Sequence, residues 1–103
     1  MTDQQLRYHV EHAVATITLN RPERKNAFTL AIIDDWADGL RRAAADDEVR
    51  VVVVTGAGDA FCSGVDLTVL SAVDPAPLAR KRVLTHGVHK VVRAVADLDK
   101  PLL

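Results

Sequence analysis

Residues 51–67 read VVVVTGAGDAFCSGVDL, and this stretch decides the fold. Four consecutive valines favour an extended backbone, and an apolar run without polar alternation is typical of a central, parallel strand that is covered on both faces. Glycines at positions 56, 58 and 64 then punctuate a loop of small residues. The loop predicts a strand-to-helix connection, with a short helix beginning at Val65. An α/β domain is therefore expected.

The loop from Gly56 to Gly64 has two interpretations. It lacks the third glycine of a dinucleotide-binding fingerprint, and no Gly-Lys-Ser/Thr follows it, so neither that motif nor a P-loop is present. It is either a flexible turn or a site where free backbone N–H groups at the start of a helix hold an anion or a developing oxyanion. In the second case Gly64 would allow a close approach to the backbone.

The residues before this stretch predict a β-hairpin followed by a loop. Apolar and polar residues alternate over 6–10, and 14–19 is rich in β-branched residues. Residues 20–26 lack core-forming side chains and include a proline, which predicts a loop. We expect the cations of this loop to be solvated, with contact to a phosphate as the alternative. These cations are Arg21, Arg24 and Lys25.

Two amphipathic helices are predicted on either side of the valine run. Apolar residues recur every three or four positions from Thr29 to Ala44, and again from Leu84 to about Asp97. A proline-containing break at 74–77 precedes the second helix, and 100–103 has the pattern of the entry to a further strand. Because so few strands leave the sheet edges open, we expect the chain to form the front part of a larger domain.

Composition narrows the function classes. The 103 residues are 49% apolar and 26% charged, which suits one globular domain at most. Thirteen Lys and Arg against fourteen Asp and Glu give a net charge of -1, so a nucleic-acid partner is not expected. No apolar run is longer than that at 51–54, which is too short to span a membrane, and the polar start lacks the layout of a signal peptide. These features predict a cytoplasmic protein.

Few residues suggest metal or nucleophile chemistry. His86 and His89 could share a helix face, but no carboxylate or cysteine completes a ligand set, so no metal site is predicted. His9 and His12 flank the hairpin turn and are expected to be solvated. The single cysteine, Cys62, fits a reducing compartment. It could be a nucleophile if a base approached it, although a buried small residue is the favoured interpretation.

Two segments together resemble the enoyl-CoA hydratase/isomerase family, also called the crotonase superfamily. Residues 17–28, ITLNRPERKNAF, are similar to a family strand that ends in Leu-Asn-Arg-Pro and is followed by Asn-Ala. Residues 51–67 are similar to the family's strand, Thr-Gly and Phe-Cys-x-Gly-x-Asp-Leu pattern, and Lys100-Pro101 resembles the Lys-Pro before its next core strand. The resemblance implies that residues 1–103 form the N-terminal portion of an α/β domain with a crotonase-like ββα spiral core.

The resemblance also implies a site for an acyl-CoA thioester. The enolate-like charge on its carbonyl oxygen would lie between two backbone N–H donors, and Val65 would supply the first. Gly64 would allow the approach and Asp66 would help to fix the turn. Arg24 and Lys25 are implied contacts to the CoA phosphates. The residues implied to line the CoA site are Ala27, Cys62, Ser63, Gly64, Val65 and Asp66.

The expected reaction is most commonly the reversible hydration of a 2-enoyl-CoA, although isomerases, hydrolases and decarboxylases share this front portion. By resemblance, the second oxyanion donor and the proton-transferring glutamates lie after Leu103, so the 103 residues alone are expected to be inactive. Coenzyme A is part of the substrate, and no other cofactor is predicted. A complete domain is expected to form a homotrimer or hexamer, with residues 70–84 lining the acyl side. The alternative is a shortened, non-catalytic paralogue that binds CoA or acts as an interaction module.

Overall fold

The computed structural model describes residues 5–64, 66, 78, 82 and 89–103. Within these ranges a three-stranded sheet packs on two helices, with a single 3-10 turn, Pro22–Arg24, in the loop after the second strand. The main elements are β1 (Leu6–Glu11), β2 (Val14–Leu19), α1 (Leu30–Ala45), β3 (Val51–Gly56) and α2 (His89–Ala96).

The predicted hairpin is confirmed. β1 and β2 pair antiparallel, with Glu11 opposite Val14 at the closed end. The two turn residues between them, His12 and Ala13, both have positive φ angles, 51° and 66°. Two consecutive positive φ angles are the geometry whose twist matches that of the flanking strands. The sequence carries neither glycine nor asparagine there, so the register of the two strands imposes the turn.

The parallel, central position of β3 is also confirmed. β2 pairs with β3 in parallel, from Val14 opposite Val51 to the end of both strands. On the other side of β3, Val52 N–H donates to Pro101 O at 3.0 Å and Val52 O accepts from Leu103 N–H at 2.9 Å. Residues 101–103 therefore begin a further parallel partner of β3, as their pattern predicts.

The expectation that β3 is covered on both faces is wrong for the part of the chain that the structure describes. Val52 is buried, but Val51 and Val53 are half-buried and Thr55 is exposed. The described helices pack against one face of the sheet, where Val52 joins residues of β2 and α1 in the core. Among the described residues, β3 is therefore packed on one face and partly open on the other.

The first helix agrees closely with its prediction. Thr29 caps its N-terminus by accepting a hydrogen bond from Ile32 N–H at 3.3 Å. Its buried face carries Ile33, Ala37 and Leu40. At the other end Lys100 Nζ donates to the carbonyl oxygens of Ala43 and Asp46, both at 2.7 Å, which places a cation at the negative end of the helix dipole.

The second helix, α2, packs against α1 and contributes Val91 and Ala94 to the core. Its described span ends at Ala96, one residue before the predicted end. The predicted start at Leu84 lies outside the described residues, as do the expected short helix after Val65 and the break at 74–77. No helix within the described ranges is long and apolar enough to cross a membrane.

Candidate functional site

Two loops meet at the ends of β2 and β3, and they carry the two sequence motifs. The first loop comprises residues 20–28 and the second loop residues 56–66. Ser63 N–H donates to Lys25 O at 3.0 Å, Phe28 N–H donates to Gly64 O at 2.9 Å, and Asp66 N–H donates to Phe28 O at 2.9 Å. The backbones are therefore paired in the manner of parallel strands, and segments distant in the sequence become one surface.

Asn26 ties the first loop to the second with its side chain. Its Oδ1 accepts from Arg21 N–H at 2.8 Å, and its Nδ2 donates to Ala57 O at 2.9 Å and Ala60 O at 2.7 Å. The residue is 2% exposed and has a φ of 57°, a conformation that asparagine tolerates better than most residues. Sequence reasoning missed this role, although an asparagine just before a helix cap was a usable signal.

Glycine is required at positions 56 and 64 of the second loop for different physical reasons. A Cβ on Gly56 would clash with the carbonyl oxygens of Ala60 and Phe61, because the loop folds back over it. Gly64 has a φ of 105°, while a Cβ there would meet nothing within 4 Å. Close packing thus requires glycine at 56, whereas backbone conformation requires it at 64.

Arg21 and Asp66 form a buried ion pair between the two loops. Arg21 Nη1 lies 3.0 Å from Asp66 Oδ2 and donates to Ala27 O at 2.7 Å. The two side chains are only 12% and 6% exposed. The expectation that Arg21 is solvated is therefore wrong, because a carboxylate and a carbonyl oxygen replace the water that its guanidinium would lose on burial.

A second ion pair joins the same loops at the surface. Lys25 Nζ lies 3.0 Å from Asp59 Oδ1 and 2.8 Å from Asp59 Oδ2, with both side chains largely exposed. Arg24 is also exposed, and its carbonyl oxygen accepts from Ser63 Oγ at 3.3 Å. The prediction that Arg24 and Lys25 face solvent is confirmed. Both lie at the rim of the junction, where the Lys25 ammonium is paired with Asp59.

The structure brings most of the predicted CoA-lining residues to this junction. Ala27 and Gly64 are half-buried, Ser63 is exposed and Asp66 is buried. Cys62 is half-buried and not disulfide-bonded, so the interpretation of it as a buried residue is wrong. A surface loop covers only part of a small side chain at that position. Val65, the predicted catalytic donor, lies outside the described residues.

An apolar depression of about 470 Å³ borders the second loop. The rings of Trp36 and Phe61 meet edge to face across it, with centroids 6.3 Å apart and an interplanar angle of 85°. Phe61 is 52% exposed. Sequence reasoning did not single out this surface, which is lined by Trp36, Val54, Phe61, Val95, Leu102 and Leu103.

The histidines offer no built metal centre within the described ranges. His9 and His12 are exposed, and their Nε2 atoms lie 3.2 and 3.6 Å from the carboxylate oxygens of Glu11. The three side chains form a solvated cluster at the surface, as expected for the two histidines. No group of three His, Cys, Asp or Glu side chains among the described residues is arranged to hold a metal ion. The possible partner position His86 lies outside them.

Comparisons with known proteins agree with this geometry. The chain is 39% identical over 97 residues to the 1,2-epoxyphenylacetyl-CoA isomerase of Escherichia coli K12, covering 92% of this chain and 37% of that protein. It is 48% identical over 63 residues to the "probable enoyl-CoA hydratase EchA14" of Mycobacterium tuberculosis H37Rv, covering 61% of this chain and 25% of that protein. The matched segments thus span between a quarter and just over a third of the length of these relatives.

The fold has close structural neighbours as well. A solved enoyl-CoA hydratase/carnithine racemase from Magnetospirillum magneticum superimposes with a TM-score of 0.88 at 28% identity, covering 98% of this chain and 38% of that one. The architecture is therefore the N-terminal portion of a crotonase fold. A sequence profile described as enoyl-CoA hydratase/isomerase matches residues 9–103, almost the whole chain. On this agreement of motifs, fold and relatives, the chain belongs to the enoyl-CoA hydratase/isomerase family.

Proposed function

We propose that the protein acts on an acyl-CoA thioester, with hydration of a 2-enoyl-CoA as its reaction. The backbone N–H of Val65 is one donor to the thioester oxygen and stabilises the enolate-like charge that develops there. The names of the relatives, a CoA-ester isomerase and an enoyl-CoA hydratase, support this substrate class. The paired loops support the position of the donor.

The observation that carries the proposal is the pair of hydrogen bonds on either side of position 65. Phe28 N–H donates to Gly64 O, and Phe28 O accepts from Asp66 N–H, both at 2.9 Å. Neither bond uses the N–H of residue 65. Because a trans peptide group is planar, the N–H that shares a peptide with the Gly64 carbonyl is expected to point away from Phe28. In this proposal, that N–H is the one that donates to the incoming thioester oxygen.

The CoA portion of the substrate is proposed to lie along the junction of the two loops. The exposed Arg24 and Lys25 offer positive charge to its phosphates. No further cofactor enters this proposal, and the cytoplasmic location and trimeric or hexameric assembly stay predictions. The proposed lining residues are Ala27, Cys62, Ser63, Gly64, Val65 and Asp66.

Two matched variants of the whole protein, as its gene encodes it, test the donor. Val65→Pro removes the N–H, and we expect kcat for hydration of 2-butenoyl-CoA to fall about 100- to 1,000-fold. Cys62→Ala alters a neighbouring side chain but no backbone donor, so its kcat is expected to stay within about twofold of wild type. Equal losses would contradict a passive Cys62, and an active Val65→Pro variant would overturn the donor assignment.

The 103 residues by themselves are proposed not to complete turnover. By resemblance, the second oxyanion donor and the glutamates that move protons belong to positions after Leu103, and one donor alone stabilises only part of the charge. An intact mass of the protein produced from its native gene separates the possibilities. A mass well above 11.2 kDa supports a complete acyl-CoA enzyme, whereas 11.2 kDa favours the shortened binding or interaction module.

A further inference from the structure

The buried ion pair of Arg21 and Asp66 has a geometry that is not needed merely to hold the two loops together. One nitrogen of Arg21, Nη1, contacts both Ala27 O at 2.7 Å and Asp66 Oδ2 at 3.0 Å. The Nε of Arg21 is buried and finds no partner among the described residues. Removing a charge pair from water carries a large desolvation penalty, so a solvated side chain would close the loop at a lower cost in free energy.

The two acceptors of Arg21 belong to the two backbone segments that the hydrogen bonds of Phe28 join. Ala27 immediately precedes Phe28, whose N–H holds the Gly64 carbonyl, and Asp66 immediately follows position 65. Arg21 therefore connects the supporting segment with the segment it supports. Any rotation of the peptide after Gly64 moves Asp66 or Ala27 relative to the guanidinium and weakens a short charged contact.

We propose that Arg21 is a positioning residue for the oxyanion donor. Through Asp66 and Ala27 it holds the peptide that links Gly64 to Val65 at the orientation the thioester oxygen requires. Arg21 itself touches no substrate atom in this proposal, which rests on the proposed function of the Val65 N–H. Preorganised donors lower an activation barrier because they need no reorientation as charge develops.

Lysine cannot reproduce this arrangement. Although a single nitrogen of Arg21 makes both contacts, that nitrogen belongs to a rigid planar group at the end of a side chain longer than that of lysine. The lysine ammonium is a compact point charge on a shorter, flexible stem. Arg21→Lys should keep the charge opposite Asp66 but lose the fixed geometry. A misplaced catalytic group costs up to about 100-fold in rate, so kcat is expected to fall about 10- to 100-fold while KM changes less than threefold.

The discriminating readout is the carbonyl stretch of a bound thioester in the whole protein. Butanoyl-CoA labelled with carbon-13 at its carbonyl has no double bond to hydrate, so it serves as a stable probe. Hydrogen bonds to the oxygen lower its stretching frequency, and isotope-edited infrared spectra would report that shift. Asp59→Asn is the matched control, because it breaks the ion pair that joins the same two loops at the surface and leaves every residue of the proposed CoA site unchanged.

The proposal is supported when Arg21→Lys and Arg21→Met bind butanoyl-CoA but lose most of the shift seen in wild type, while Asp59→Asn retains it. It is overturned when the Arg21→Lys shift and kcat match those of wild type. Should Arg21→Met fail to fold, Arg21→Lys alone decides. A wild-type protein that binds butanoyl-CoA without any shift would instead overturn the proposed function.

Discussion

Two ion pairs join the same two loops, and they differ chiefly in burial. Arg21 and Asp66 are 12% and 6% exposed, whereas Lys25 and Asp59 are 61% and 76% exposed. The surface pair has the shorter distance, 2.8 Å against 3.0 Å, and it contacts both carboxylate oxygens. Distance and contact number alone would rank the surface pair first, whereas burial predicts that the Arg21–Asp66 pair contributes more to stability.

The physical reason lies in what each charge does when its partner is removed. An exposed ion is rehydrated, and surface pairs typically contribute about 0 to 1 kcal/mol to folding. A buried ion has no water to return to, and breaking such a pair typically costs about 3 to 5 kcal/mol. The following predictions test this difference, first by breaking the buried pair.

The largest effect is expected for Asp66→Ala. It leaves the Arg21 guanidinium buried without its counter-charge, and we expect the free energy of unfolding of the whole protein to fall by about 3 to 5 kcal/mol. Urea denaturation followed by circular dichroism measures it. The equivalent surface change, Asp59→Ala, serves as the control, and similar losses in the two variants would refute the role assigned to burial.

Asn26 extends the comparison to an uncharged contact, because its side chain joins the same two loops by hydrogen bonds. Asn26→Ala removes its three hydrogen bonds and places alanine at a positive φ, so a loss of about 2 to 4 kcal/mol is expected in the same denaturation experiment. Asn26→Gly removes the same bonds but tolerates the backbone angle. Its loss should be smaller by about 1 kcal/mol, and equal losses would show that backbone strain is negligible there.

The surface pair is expected to contribute little. A double-mutant cycle with Lys25→Met and Asp59→Asn should give a coupling energy of about 0.2 to 1 kcal/mol. Salt near 1 M should remove most of it, because the Debye length then falls to about 3 Å. A coupling above about 2 kcal/mol that persists in high salt would show that this pair behaves like the buried one.

The smallest effect concerns a partly buried group elsewhere in the fold. Burial raises the pKa of the Tyr8 phenol above its usual 10.0, the Arg42 charge opposes this rise, and Asp46 adds to it. The unfolded chain therefore releases this proton at a lower pH than the folded chain does. Stability should be fully present below pH 10 and should decline as the pH rises from 10 through the folded-state value.

Urea midpoints measured across this alkaline range would report the decline. Tyr8→Phe keeps the ring beneath Arg42, whose guanidinium lies 4.4 Å from the ring centroid, but removes the titrating group. The part of the alkaline decline that is due to Tyr8 should be absent in this variant. A decline of the same size in Tyr8→Phe would assign the effect to other groups.

Local pattern was enough to predict most of the described fold. The spacing of apolar residues from Thr29 to Ala44 predicted α1, and alternation and β-branching predicted the hairpin and β3. Each of these signals lies within one short segment of the sequence, so it can be read without knowledge of the tertiary contacts. The two motifs were also visible in the sequence, which was sufficient to recognise the family.

The contacts between the two loops could not be predicted in the same way. Arg21 in a polar loop has the appearance of a solvated cation, Asn26 that of an ordinary loop residue, and Cys62 that of a buried small residue. Their actual environments depend on which distant segment lies opposite. Parallel pairing of β2 with β3 brings the first loop beside the second, and only then do Asp66 and the carbonyls of Ala57 and Ala60 become available as partners.

The sequence by itself determined the strands, the first helix, the family and the position of the proposed donor, because these follow from local periodicity and from motifs of contiguous residues. Only the tertiary structure decided which charges are buried. The desolvation of a charged group depends on all residues near it in space, and these include residues far away in the sequence. The same arginine that would contribute little at the surface forms, opposite Asp66, a buried ion pair between the two loops.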